Sequence, residues 1–287
     1  MFDSHVHAGP DVLDRIGDDH DISNMYAAAD FSGFVLKAHY ESTVGRAHAA
    51  ARATGKAVYG GLALNQHCEG VNPSAVAAAL GAGGRVIWMP TADAHTQHTA
   101  DLPRLCQHEP RIGTRTYAIP PVNTKATEAT ETVLALIADH DAVLATGHLS
   151  GDECRWLSER ARHYGINRLM FTHPSYTVPG LQPDAIRTLV EGGGYAEITT
   201  YQLLHQPGCT PAMLARAAEA AGDRLILSSD AGQPDSPPPP EALMLLIDTL
   251  AAEGLDRGWL EAAASTTPQS LFTPNQPLHN VSRKDSV

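Results

Sequence analysis

The sequence predicts a (β/α)8 barrel, and three observations carry that expectation. Eight short apolar runs recur along the chain, a helical pattern follows each, and the 287 residues are near the ~250 typical of that architecture. A single doubly wound sheet is the other arrangement such alternation permits, but the regular count of eight favours closure.

Taken in order, the strands are expected at Phe2 to His7, Gly33 to His39, Ala57 to Leu64, Arg85 to Pro90, Ala142 to His148, Arg168 to His173, Tyr195 to Thr200 and Arg224 to Ser229. Helices are expected at Ile22 to Asp30, Val44 to Thr54, Ser74 to Leu80, Thr130 to Asp139, Glu153 to Tyr164, Pro183 to Glu191, Pro211 to Ala221 and Pro239 to Ala252. Their borders carry chemistry: Ser150 with Glu153 reads as a capping box, and Thr210 before Pro211 as a cap and first helical residue. Several patterns stop at a glycine, among them Gly55, Gly165, Gly222 and Gly254, as helices that end in a left-handed residue do.

The main irregularity is "TADAHTQHTADLPRLCQHEPRIGTRTYAIPPVNTKAT", residues 91–127. It is too long and polar for an ordinary connection, so it reads as an insertion after strand 4, with room for a small hairpin, that folds over the barrel mouth as a lid. "QPDSPPPPE" after strand 8 is a stiff loop, because the helix behind it is needed for the eighth unit. The barrel is expected to occupy residues 1–273, with 274–287 as a polar tail.

Composition narrows the partners. A hydrophobic content of 43% can bury a substantial core, and a net charge of −12 with no basic run disfavours nucleic acid and anionic membranes. A small-molecule substrate is the default, with homo-oligomerisation possible. No window offers the ~20 apolar residues of a membrane span, and a cytoplasmic location is expected. Cys68, Cys106, Cys154 and Cys209 are widely spaced and read as reduced packing residues.

In such barrels chemistry gathers where strands end. The opening "FDSHVHAGPD" places Asp3, His5 and His7 at alternate positions, so in an extended strand they share one face. With 15 histidines in the chain, an HxH pair alone is weak evidence for a metal. The other termini strengthen it: Lys37 and His39 end strand 2, His148 strand 5, His173 strand 6 and Asp230 strand 8, with Glu197 on strand 7. Together they point to a metal site. The remaining histidines, such as His48, His108, His140 and His163, fall on helical or loop stretches and are expected to be solvated.

This pattern resembles the amidohydrolase superfamily of metal-dependent hydrolases, from Phe2 to about Leu271. More narrowly, "HVHAGPD", "VLKAHY", "GGLALN", "VIWMPT", "LATGHLSGDE", "FTHP" and "SSDAGQ" resemble the DUF6282 family. The resemblance implies His5, His7 and Asp230 around one ion, with His148 and His173 around a second or completing a single site. Many relatives bridge two ions with a carboxylated lysine or a glutamate at the end of strand 4, whereas strand 4 here ends "WMPT". Lys37 is the expected substitute: burial beside cations depresses its pKa and leaves an amine open to carboxylation. An ion pair with Glu197 or Glu69, or contact with a substrate anion, is the competing expectation for Lys37, and Glu197 is also a possible direct ligand.

The activity implied is metal-dependent hydrolysis of a C–N or C–O bond in a compact cyclic amide, lactone or ester, with Asp230 as general base. Phosphoester hydrolysis, a mononuclear decarboxylase or lyase, and a non-catalytic metal-binding barrel are the alternatives. His39, His98, Arg115 and Glu197 are the expected substrate contacts. Imidazole and carboxylate donors suit one or two divalent ions, zinc first, with manganese, iron or nickel also compatible.

Overall fold

The computed structural model describes residues 1–100, 102 and 105–274; the tail expected over 274–287 lies, apart from its first residue, outside them. Eight strands form: β1 (Phe2–Val6), β2 (Gly33–Leu36), β3 (Ala57–Ala63), β4 (Val86–Trp88), β5 (Val143–Ala145), β6 (Leu169–Phe171), β7 (Tyr195–Thr199) and β8 (Leu225–Ser228). Each pairs in parallel with the next. The sheet closes where the His7 N–H donates to the Ala231 carbonyl and the Asp230 N–H to the His5 carbonyl, both at 2.8 Å. The result is a (β/α)8 barrel.

The helices are α1 (Asp19–Ala28), α2 (Val44–Thr54), α3 (Pro73–Gly81), α4 (His95–Thr99), α5 (Thr127–Asp139), α6 (Gly151–His163), α7 (Pro183–Glu191), α8 (Thr200–His205), α9 (Pro211–Ala221), α10 (Pro239–Ala252), α11 (Arg257–Ala263) and α12 (Thr266–Phe272). Eight of them are the predicted ones. The others, α4, α8, α11 and α12, are five to seven residues long, too short to show a helical period. Ser150 and Glu153 form the predicted capping box of α6, and the Thr210 side chain caps α9.

Two apolar layers hold the barrel. Leu36, Leu144, Ile198 and Leu227 pack outward against the helices, while Phe2, Val35, Trp88, Met170 and Ile226 fill the inside. Each such side chain stabilises the fold by roughly 1.5–3 kcal/mol. Phe272 of α12 plugs the end opposite the strand C-termini. There the Arg85 Nε donates to the Phe272 carbonyl (3.0 Å) and Arg168 donates to the Ser270 and Leu271 carbonyls, so two cations complement the C-terminal end of the plug.

The expected shared face of Asp3, His5 and His7 requires correction. Between Asp3 and Val6 the β1–β2 register slips, with Asp3 opposite Phe34 and Val6 opposite Leu36. This bulge inserts one residue and reverses the phase. Phe2 consequently points inward, and Asp3 points outward to accept from the Tyr26 hydroxyl of α1 at 2.6 Å. Beyond the bulge His5 and His7 both face the mouth.

The expected hairpin in the insertion is also absent among the described residues. Residues 91–127 hold α4 and short 3-10 turns at Leu105–His108, Pro110–Ile112 and Thr124–Ala126; prolines 110, 120 and 121 remove donors a ladder would need.

Candidate metal centre

Strands β2, β5, β6 and β8 leave the ladder before their polar termini. Lys37, His39, His148, His173 and Asp230 all lie past the last residue of their strand, where the backbone is released from strict alternation. His173 (φ 27°) and Asp230 (φ 50°) take left-handed conformations, uncommon for non-glycine residues but most accessible to Asp, Asn and His. Gly147, at φ 57°, lets the chain turn into His148; a Cβ there would collide with the Met89 carbonyl oxygen.

Five imidazoles form a closed circuit at the mouth. Ring centroids are 5.4 Å apart for His5 and His7, 5.1 Å for His7 and His39, 6.2 Å for His39 and His148, 5.0 Å for His148 and His173, and 6.1 Å for His173 and His5. Asp230 Oδ1 stands 3.0 Å from Nε2 of His5 and 3.2 Å from Nε2 of His7. One ligand atom from each of these three residues lies within 4.8 Å of the others. Lys37 Nζ is 2.9 Å from His5 Nε2 and 5.8 Å above the Trp88 ring. Lys37 thus points into the centre, with Asp230 and Glu197 as the carboxylates that act on it, and does not turn away toward Glu69.

Burial sets the charge states. It lowers the pKa of His5 and His173 to about 3 and those of His7, His39 and His148 well below the usual value. The imidazoles are therefore neutral, the form that donates a lone pair to a cation. Burial likewise depresses the Lys37 ammonium, with Asp230 and Glu197 opposing it. The Asp230 carboxyl is pushed up by burial, partly offset by His5 and Lys37.

The hydrogen bonds behind the rings decide which nitrogen faces inward. His5 Nδ1 lies 3.2 Å from Glu197 Oε1; an N–H must sit there, which leaves Nε2 as a lone pair. That lone pair faces both Lys37 Nζ (2.9 Å) and Asp230 Oδ1 (3.0 Å), so two ligand atoms converge beside the Lys37 amine, at a place a metal ion can share. His173 Nδ1 is buried with no hydrogen-bond partner. The donor set therefore fits a divalent ion. At His7 the tautomer is reversed: Arg15 Nη2 lies 3.3 Å from Nδ1, which puts the proton on Nε2, so ion binding there releases a proton or displaces Arg15.

Glu197 is not a wall of the cavity. Fully buried, it accepts from Ser228 Oγ at 2.7 Å and stands behind His5, away from the cavity in which the expected substrate contact would place it. His98 and Arg115 are exposed and line none of the cavity; α4 turns Gln97 inward and His98 outward, and the Arg115 backbone N–H is held by Gln66. His39 does line it, with Nδ1 2.9 Å from Thr91 Oγ1. The cavity of about 150 Å³ is further walled by Leu13, Arg15, Gln97, Leu105, Tyr176, Tyr201 and Gln233. Of these Tyr176 follows the "FTHP" motif closely, but Arg15 and Gln97 carry no sequence signal, because loops deliver them.

Fold and site together define a (β/α)8 barrel with a candidate divalent-cation centre at its C-terminal mouth. The chain belongs to the DUF6282 family, a family of unknown function whose model matches residues 1–197. No curated protein matches it by sequence. Among solved structures, it is similar to an amidohydrolase from Pseudomonas aeruginosa (TM-score 0.60, 10% identity, covering 94% of this chain and 96% of that one). It is also similar to a lactonase from Listeria monocytogenes (0.56, 13%, 94% and 94%) and to dihydroorotase from Campylobacter jejuni (0.54, 12%, 94% and 82%). At these identities the likeness is one of fold.

Proposed function

We propose that this protein is a metal-dependent hydrolase that cleaves a C–N or C–O bond in a small cyclic amide, lactone or ester. The observation that carries the reading is the convergence of His5, His7 and Asp230 on one point, with the neutral His148 and His173 beside them. His5, His7 and Asp230 would hold one divalent ion, zinc first; His148 and His173 would complete the site or hold a second, with a carboxylated Lys37 as bridge. Bound there, the ion supplies Lewis acidity, polarising the scissile carbonyl and acidifying water.

The residues of this chain do the rest. Asp230 accepts a proton from the attacking water and returns it to the leaving group, its carboxylate facing the cavity. Glu197 keeps His5 in one tautomer. His39 orients the substrate from the side of β2. Leu13, Leu105, Tyr176 and Tyr201 limit the substrate to a compact molecule and exclude bulk water. Fold similarity to a lactonase and to dihydroorotase supports this substrate class.

The test is metal analysis of protein purified without chelator and supplied with zinc or manganese, followed by a screen of lactones, cyclic amides, esters and phosphoesters. Bound ion with ring-opening activity that chelation abolishes is expected. Protein that retains no ion would overturn the reading, and phosphoester turnover alone would replace the substrate class.

A further inference from the structure

The insertion is joined to the segment after β5 at four points. The Thr96 hydroxyl donates to the His148 carbonyl, and Gln97 Oε1 lies 3.0 Å from His148 Nδ1, both residues buried. His95 Nε2 stands 2.9 Å from Glu153 Oε2, and the Ile119 N–H donates to Glu153 Oε1 at 2.8 Å. Three consecutive residues of α4 thus grip one histidine and the helix cap just behind it, and Glu153 holds the insertion at both its outgoing and returning limbs.

From this we infer that Gln97 is a positioning residue of the metal centre: its side-chain carbonyl fixes the tautomer and ring orientation of His148, making α4 part of the ion-binding site. An acceptor at Nδ1 requires an N–H there, which leaves the His148 Nε2 lone pair to face the cavity. The inference rests on the metal-centre reading above and deepens it. A moving lid would not be built this way: a helix whose departure frees the His148 ring would dismantle the centre on each opening. Helix α4 is therefore a fixed part of the roof over the mouth. The same device recurs at His5, where Glu197 occupies the equivalent place at 3.2 Å, so the chain supplies one buried acceptor behind an imidazole on each side of the mouth.

The experiment is zinc titration of the full chain against a chromophoric chelator, with cobalt substitution as a spectroscopic readout, for wild type, Gln97→Met and Gln97→Glu. Met keeps the shape and removes the acceptor; Glu retains it. Gln97→Met is expected to weaken zinc affinity about 10–100-fold and to alter the cobalt spectrum, while Gln97→Glu stays close to wild type. Comparable apo melting temperatures would separate ring orientation from misfolding, and His98→Ala, on the exposed side of the same helix, should match wild type. Unchanged zinc affinity in Gln97→Met, or equal losses in the Met and Glu variants, would overturn the inference while leaving the hydrolase reading standing. A wild type that binds zinc but hydrolyses nothing, with Gln97→Met still impaired, would leave Gln97 in place and remove the hydrolase. A wild type that binds no ion overturns both.

Discussion

Glu197 and His5 form a fully buried pair, with Oε1 3.2 Å from Nδ1, at a place where no solvent can substitute for either partner. Ser228 Oγ also donates to the same Oε1 at 2.7 Å, so the carboxylate has a second fixed partner. Replacing Glu197 with Leu removes the acceptor and frees the His5 ring. Zinc affinity is expected to fall by about 10–100-fold, as read by chelator competition. Wild-type affinity in this variant would show that His5 needs no support.

Asp230 is placed to carry both metal and proton, and Asn can replace the first role in part but not the second. Asp230→Asn is expected to lower kcat by about 10²–10⁴-fold on any substrate found, with the far-ultraviolet circular dichroism unchanged. Turnover at the wild-type rate would remove Asp230 as the base.

Lys37 sits between His5 and the Trp88 ring, and burial disfavours its ammonium form. If it bridges two ions as a carbamate, protein loaded with zinc in isotopically labelled bicarbonate will show a carbamate carbonyl resonance that Lys37→Met lacks. The same variant should bind less metal per chain. An unmodified amine in fully loaded protein would instead favour a single-ion centre.

Glu153 gives a pH-dependent prediction. Burial pushes its carboxyl up, but hydrogen bonds from His95, Ser150 and Ile119 outweigh it and hold the pKa below the usual 4.5. A carboxylate depressed in the folded state contributes stability that is complete above its unfolded pKa and lost as the pH falls through the folded one. Denaturant unfolding of Glu153→Gln should therefore show a deficit of about 1–3 kcal/mol at neutral pH that narrows below about pH 4. A deficit constant with pH would mean that the charge contributes nothing.

The legible part of this protein lies in its local repeats. Strand 5 shows why: "AVLATGHLSGDE" contains an apolar run, a glycine for the turn, the His148 donor and the Ser150–Glu153 cap, all within reach of short-range rules. The placement of His5, His7, Lys37, His148, His173 and Asp230 at one mouth follows once eight such units are assumed to close. Asp3 shows where this reasoning stops, because period-two alternation assumes an unbroken ladder and one bulged residue reverses it.

The sequence by itself determined the eight strand–helix units and which polar side chains end the strands, since periodicity, caps and turn residues act over a few positions. Only the tertiary structure decided that Glu197 stands behind His5, that Gln97 stands behind His148, and that His98 and Arg115 face solvent. Those partners are 192 and 51 residues apart for the two pairs, and a hydrogen bond across such a span depends on how closed strands and a folded insertion bring the groups together, which no local pattern encodes.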